Sequence, residues 1–86
     1  MKRFEHTIHD SAAIHAGTAR KIVQIARQFP GTDIVIDCGG KTVSAAGLLR
    51  LMSLGIRSGD RITVTCDGPG EMAATVAMQN YIWNHL

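Results

Sequence analysis

Thr32-Asp33-Ile34-Val35-Ile36-Asp37-Cys38-Gly39-Gly40-Lys41-Thr42-Val43-Ser44 decides the architecture. From 32 to 38 the residues alternate, with Ile34 and Ile36 against Asp33, Val35 and Asp37. They are rich in β-branched side chains, as in a strand buried on one face. Gly39-Gly40 suits a tight turn, and Lys41 to Ser44 returns as a short strand. A hairpin at the middle of a short chain commits it to a sheet with antiparallel pairing.

Toward the C-terminus, 46–54 reads as a short helix stopped by Gly55 in the C′ position. Ser58-Gly59-Asp60 is a turn, and 61–66 is another alternating strand with Ile62 and Val64 inward. Asp67-Gly68-Pro69-Gly70 is a loop. A final helix covers 71–83, with Met72, Val76, Gln79, Ile82 and Trp83 near one face. Toward the N-terminus, Pro30-Gly31 stops a helix over 16–29. Its apolar residues Ala19, Ile22, Val23, Ala26 and Phe29 form a helical stripe, and Arg20, Lys21, Gln24, Arg27 and Gln28 fill the wet side. A loop over 10–13 precedes it. Before that, 3–9 alternates as a half-buried strand with Phe4, His6 and Ile8 on one face. The order is β-α-β-β-α-β-α. It implies an α/β fold of the two-layer α+β kind, with an antiparallel or mixed sheet and helices on one face.

Eighty-six residues at 45% hydrophobic content make one globular domain spanning 1–86. A net charge of +2 with no run of basic residues argues against nucleic acid as a partner. Cys38 and Cys66 make neither a disulfide framework nor a zinc site, and reduced, partly buried thiols are expected. No apolar h-region follows the charged N-terminal residues, and no apolar run is long enough to span a bilayer. A cytoplasmic monomer without metal or cofactor is therefore expected.

His15 stands just ahead of the first helix, in Asp10-Ser11-Ala12-Ala13-Ile14-His15-Ala16-Gly17-Thr18-Ala19. A helix start offers unpaired N–H groups and suits an anion, phosphate especially. By itself, a histidine there is more often a solvated side chain. In its setting, however, the stretch resembles the active-site loop of HPr, the histidine phosphocarrier family of the bacterial sugar phosphotransferase system. Gly40-Lys41-Thr42-Val43, Leu48, Met52-Ser53-Leu54-Gly55-Ile56, Gly59 and Ile62-Thr63 resemble the Gram-positive branch of that family. The resemblance covers nearly the whole chain. It implies an open-faced sandwich: a four-stranded antiparallel sheet covered on one face by three helices, with the last strand between the first and second. Cys38 and Cys66 would then end neighbouring antiparallel strands at opposite edges, beyond disulfide reach.

The resemblance implies that His15 carries a phosphohistidine, through Nδ1 as in the family, and that the chain is a phosphotransfer protein rather than a stand-alone enzyme. Phosphate from phosphoenolpyruvate would arrive through enzyme I and leave to a IIA-type acceptor in sugar uptake. Imidazole suits this chemistry, because the ring is a nucleophile when neutral and its N–P bond is labile. The family loop reads Gly, aliphatic, His, small, Arg, Pro, small. Here Ala13, Gly17 and Thr18 take the Gly, Arg and Pro places, so the phosphate-binding arginine is missing. Ala16, Gly17 and Thr18 remain as neutral donors, and Arg20, one turn inside the helix and leaning back, is the best local replacement, ahead of Lys21. Losing a charged donor costs on the order of tenfold in rate. A non-transferring regulator of the same fold is the alternative that the altered loop raises. Gly47 occupies the place of the Gram-positive regulatory serine, which removes the hydroxyl that HPr kinase needs.

In Gly47-Leu48-Leu49-Arg50-Leu51-Met52-Ser53-Leu54 five of eight residues are large and apolar. Leu51 and Leu54 are spaced to face inward, leaving Leu48, Leu49 and Met52 partly exposed beside Arg50. In the family this patch docks enzyme I and IIA proteins, and Arg20 and Arg27 would edge it with positive charge. The competing reading is that all these residues are ordinary core. His6 and His9 read as strand-surface or partly buried side chains. His85 reads as a favourable contact with its helix C-terminus.

Overall fold

The computed structural model describes residues 1–9 and 14–86, so the expected 10–13 loop, including Ala13, lies outside the described residues. The elements are β1 (Lys2–Thr7), α1 (Ala16–Arg27), β2 (Asp33–Cys38), β3 (Lys41–Ser44), α2 (Leu48–Ser53), β4 (Arg61–Asp67) and α3 (Glu71–His85). The strands form one sheet in the order β1-β4-β2-β3, with every neighbouring pair antiparallel. The last strand thus lies between the first and the second.

Alternation decides which face is covered. Phe4, Val64, Ile36 and Val43 stand opposite one another in one row across all four strands. Phe4, Val64 and Ile36 are buried, and Val43 packs against them. The row beside it is His6, Ile62, Cys38 and Lys41. The other face presents Arg3, Glu5, Thr63, Thr65, Asp37 and Thr42, none of them buried. The helices lie on the apolar side. Ala19, Ile22, Val23, Ile25 and Ala26 of α1, Leu51 of α2, and Ala74, Met78 and Ile82 of α3 complete one core. Gly39 and Gly40 both take positive φ, 61° and 84°, which makes the two-residue hairpin possible.

Cys38 stands opposite Ile62 while Cys66 stands opposite Ile34, four residues away along the strands. That offset is roughly 13 Å, well beyond the reach of a disulfide. Cys66 is buried, Cys38 half-buried, and both are free.

The third helix differs from its expected face. Its buried stripe is Ala74, Met78 and Ile82, whereas Met72, Val76 and Trp83 are exposed, Trp83 by 59%. Between Met72 and Trp83 this helix is apolar on nearly every side, so hydrophobicity alone does not choose a face. Tertiary contact with β1, α1 and β4 chooses it, and the small side chain of Ala74 is fully enclosed. His85 does more than sit at a helix end, since its ring stacks on Tyr81 with centroids 4.5 Å apart. His6 and His9 meet edge to face at 5.7 Å, with His6 half-buried and His9 exposed.

Candidate functional site

His15 is the N-cap of α1. Its backbone is extended, at φ −110° and ψ 174°, and its side chain turns back over the helix start. The Gly17 N–H donates to His15 Nδ1 at 3.0 Å. A ring nitrogen that accepts a hydrogen bond carries no proton, so this contact belongs to the tautomer with its hydrogen on Nε2. The lone pair of Nδ1 is thereby aimed at the positive end of the helix. Ala19 N–H donates to the His15 carbonyl at 2.9 Å, the first turn of the helix ladder. Helix geometry leaves the N–H groups of Ala16, Gly17 and Thr18 with no acceptor inside the helix. Three donors and a nucleophilic nitrogen therefore share one exposed end.

Gly17 is needed for this arrangement. A Cβ there would lie 2.9 Å from His15 Cε1 and 3.1 Å from Nδ1, so any side chain at 17 pushes the ring off its own N–H. The sequence marked Gly17 as a lost arginine and as a neutral backbone donor. The structure adds that it lets the imidazole lie across the helix mouth. Thr18 differs from its expected use, because its hydroxyl donates to the His15 carbonyl at 3.1 Å and so is turned away from Nδ1. Arg20 is exposed and shares a helix face with Ala16 and Gly17.

The double replacement Gly17→Arg/Thr18→Pro is expected to turn the ring outward, free the residue 17 N–H and add a guanidinium. Its phosphorylation rate should rise by about tenfold, the difference between a charged and a neutral donor. An unchanged rate, measured by quenched-flow labelling, would show that Arg20 or the backbone already suffices, and Arg20→Ala would separate those two.

The histidine is anchored through its neighbour. Ile14 N–H donates to the Ile56 carbonyl at 3.1 Å, tying this segment to the connection after α2. At the other end, Arg27 Nη2 donates to the Ala46 carbonyl at 3.3 Å, just before α2 begins. The second helix therefore runs back alongside α1, from the Arg27 end to the His15 end. On it Leu51 is wholly buried and Leu54 packs against the core, as spaced. Leu49 is 83% exposed and Met52 38% exposed, with Arg50 exposed beside them. Leu48 is half-buried and also touches the core, so it belongs to both.

Gly47 is the N-cap of α2 and makes no side-chain cap. A Cβ there would meet Arg50 Cβ at 3.7 Å and the Ser44 carbonyl at 3.8 Å, which are ordinary contacts. Gly47→Ser should therefore fit, cap the helix and stabilise the fold by a few tenths of a kcal/mol, roughly 0.3. It should also become a substrate for HPr kinase, read by intact mass with ATP, whereas the native chain should not. Phosphate on the native chain at Ser44 or Ser53 would contradict this. Their hydroxyls are engaged locally, Ser44 with the Ala46 N–H and Ser53 with the Arg50 carbonyl.

Among the described residues no three His, Cys, Asp or Glu side chains gather to hold a metal ion, and no helix is long and apolar enough to cross a membrane. Comparison with known proteins gives a consistent result. A family profile described as "PTS HPr component phosphorylation site" matches residues 2–84. The chain is 34% identical over 79 residues to the phosphocarrier protein HPr of Mycoplasma genitalium, covering 92% of this chain and 90% of that one. A crystal structure of a phosphocarrier protein HPr from Bacillus anthracis superposes with a TM-score of 0.84 at 32% identity, over 94% of this chain and 95% of that one. HPr-C-His from Thermoanaerobacter tengcongensis superposes with a TM-score of 0.87 at 29% identity, over 95% and 91%. With a matching profile along almost its full length, and a β1-β4-β2-β3 sheet that presents a histidine at the mouth of α1, this chain belongs to the HPr phosphocarrier family of the phosphotransferase system.

Proposed function

We propose that His15 accepts a phosphoryl group from enzyme I and passes it to a IIA-type protein of the phosphotransferase system, in the cytoplasm. The observation that carries this reading is the hydrogen bond from the Gly17 N–H to His15 Nδ1 at the start of α1. In the forward step the Nδ1 lone pair attacks the donor's phosphorus. A new N–P bond forms as the donor's bond to phosphorus breaks, and the bonding pair returns to the donor. The proton stays on Nε2. As phosphorus arrives, the Nδ1 lone pair is consumed, and the Gly17 N–H passes from the ring nitrogen to a phosphoryl oxygen. The N–H groups of Ala16 and Thr18 are placed to take part, and Arg20 adds charge from one turn in. Transfer to the acceptor is the same exchange reversed.

Docking falls to Leu49, Met52 and the outer part of Leu48 on α2, framed by Arg50, with Arg27 at the far end. Leu49→Lys is expected to weaken binding to enzyme I by about tenfold, as loss of an apolar anchor does. Being so exposed, it should change stability by no more than about 0.5 kcal/mol. Calorimetric binding and thermal melting check both. Unaltered affinity would move docking off this helix. Met52→Lys is the companion variant, and Leu48→Lys is the poorer probe because of its core contact.

The experiment for the proposal as a whole is incubation with phosphoenolpyruvate and enzyme I, followed by intact mass. One phosphate should appear, and it should vanish when a IIA-type acceptor is added. A chain that stays unmodified while a control HPr is phosphorylated would overturn the reading.

A further inference from the structure

A concavity lies at the end of the sheet where β2 finishes and β3 and β4 begin. It is an open cleft of about 440 Å³ lined by Cys38, Lys41, Arg57, Asp60 and Arg61, with Leu54 and three glycines completing its walls. The topology gathers its cations from two stretches of chain, Lys41 from the hairpin and Arg57 and Arg61 from the two ends of the turn before β4. Lys41 stands opposite Cys38 across the hairpin, and Arg61 precedes Ile62, the residue opposite Cys38 on β4. Arg57 is fixed by its turn. Its N–H donates to Asp60 Oδ2 at 2.9 Å, and the Asp60 N–H donates to its carbonyl at 3.0 Å.

Charge in the cleft is unbalanced. Three cationic residues and one carboxylate line it, and that carboxylate is engaged by a backbone N–H. Among the described residues the ion pairs are those of the N-terminal ammonium, so none of the three cations has a described carboxylate within 4 Å. The thiol adds no negative charge. Burial pushes Cys38 above the ordinary thiol range, and the nearby Asp60 and Asp37 push it the same way. A concave surface lined by one sign of charge concentrates counter-ions. Guanidinium forks match phosphate oxygens two at a time. The walls are short where Gly39, Gly55 and Gly59 stand, since a Cβ at each would meet only open space. The volume is within the range of small-molecule sites, about 300–1,000 Å³.

We propose that this cleft binds a compact phosphate-bearing anion of two or more negative charges, of the size of a small phosphorylated metabolite. None of residues 14–20 lines it, so it is distinct from the helix mouth at His15. The proposal does not depend on His15 being phosphorylated. The cleft begins at Leu54 and Gly55, just past the C-terminal end of α2.

The test is a titration of the ¹⁵N-labelled full chain with inorganic pyrophosphate, against sodium chloride at matched ionic strength. Saturable amide shifts are expected at Cys38, Gly39, Gly59 and Arg61. The double variant Arg57→Gln/Arg61→Gln should bind at least about tenfold more weakly while melting at the native temperature. Lys41→Gln should give a smaller loss and serves as a second variant. Alkylation of Cys38 by iodoacetamide should slow as the native cleft fills, with Cys66 buried and unreactive. Shifts that do not saturate, or that chloride reproduces, would overturn the proposal. So would unchanged affinity in the double variant. Shifts confined to residues 16–18 would place the anion at the His15 helix mouth instead and would also overturn it, leaving the carrier reading untouched.

Discussion

His15→Ala is expected to remove all acid-labile phosphate from the chain and to leave the fold standing. The ring is exposed, and what it gives the structure is one capping hydrogen bond at the start of α1. Loss of a helix N-cap costs about 0.5–2 kcal/mol, a tolerable fraction of a small domain's stability. The chemistry has no such reserve, because no other histidine stands at a helix start. His6 lies inward on β1 with its Nε2 buried, His9 meets its ring edge, and His85 is stacked on Tyr81 at the opposite end of α3. His6→Ala, His9→Ala and His85→Ala should therefore keep their label. The comparison is intact mass after enzyme I and phosphoenolpyruvate, before and after mild acid. Acid-labile phosphate persisting on a folded His15→Ala chain would assign the acceptor to another residue.

Gly68→Ala is expected to produce the largest loss of stability among the glycine substitutions. The corner between β4 and α3 presses on the corner between α1 and β2. Gly68 has φ of 145°, and a Cβ there would lie 2.7 Å from the Gly31 carbonyl oxygen and 2.7 Å from Thr32 Cα. Both are backbone atoms, so no side chain can swing aside. The corner is also polar and closed, since Gly70 N–H donates to the buried Thr32 hydroxyl at 2.9 Å and Gly68 N–H donates to Glu71 Oε1 at 3.2 Å. Strain at such a φ together with overpacking should cost about 3 kcal/mol. For a chain of this size that lowers the melting temperature by roughly 12–24 °C. Gly40→Ala is the control. Its φ is 84° with open space around the new Cβ, so it should lose only the conformational part, about 1–2 kcal/mol. Equal losses in the two variants would show that the Gly68 contacts are not the cause.

The elements carried by strict alternation or by a clean helical stripe were legible in the sequence. Residues 32–44 gave the hairpin, and the stripe through Ile22 and Val23 gave α1. Ends were less legible. The first helix stops at Arg27 rather than 29, and β1 stops at Thr7 rather than 9, because the apolar pattern outlasts the hydrogen-bond ladder. The buried face of α3 was missed for a physical reason: a helix apolar all round lets its neighbours choose, and Ala74, not Met72, is the residue small enough for the closest approach. At the candidate site, the place of His15 at the start of α1 and the exposure of Leu49 and Met52 were legible from residue type and spacing. The lie of the imidazole against Gly17 was not, since it depends on a missing Cβ at a particular distance. Nor was the convergence of Lys41 with Arg57 and Arg61, which lie sixteen to twenty residues further along the chain and meet it only because the sheet order brings the hairpin beside their turn. Thr32, which ties two loops through a hydroxyl, gave no pattern at all.

The proposed phosphotransfer turns on one nitrogen of His15. Long-range ¹H–¹⁵N correlation spectra of the phosphorylated chain, labelled in its histidines, report which ring position of His15 bears phosphorus. The contact between Nδ1 and the Gly17 N–H predicts phosphoryl on Nδ1, with the proton remaining on Nε2 and the Gly17 amide resonance moving as its acceptor becomes a phosphoryl oxygen. Phosphorus on Nε2, or an unmoved Gly17 amide in a fully phosphorylated sample, would contradict it.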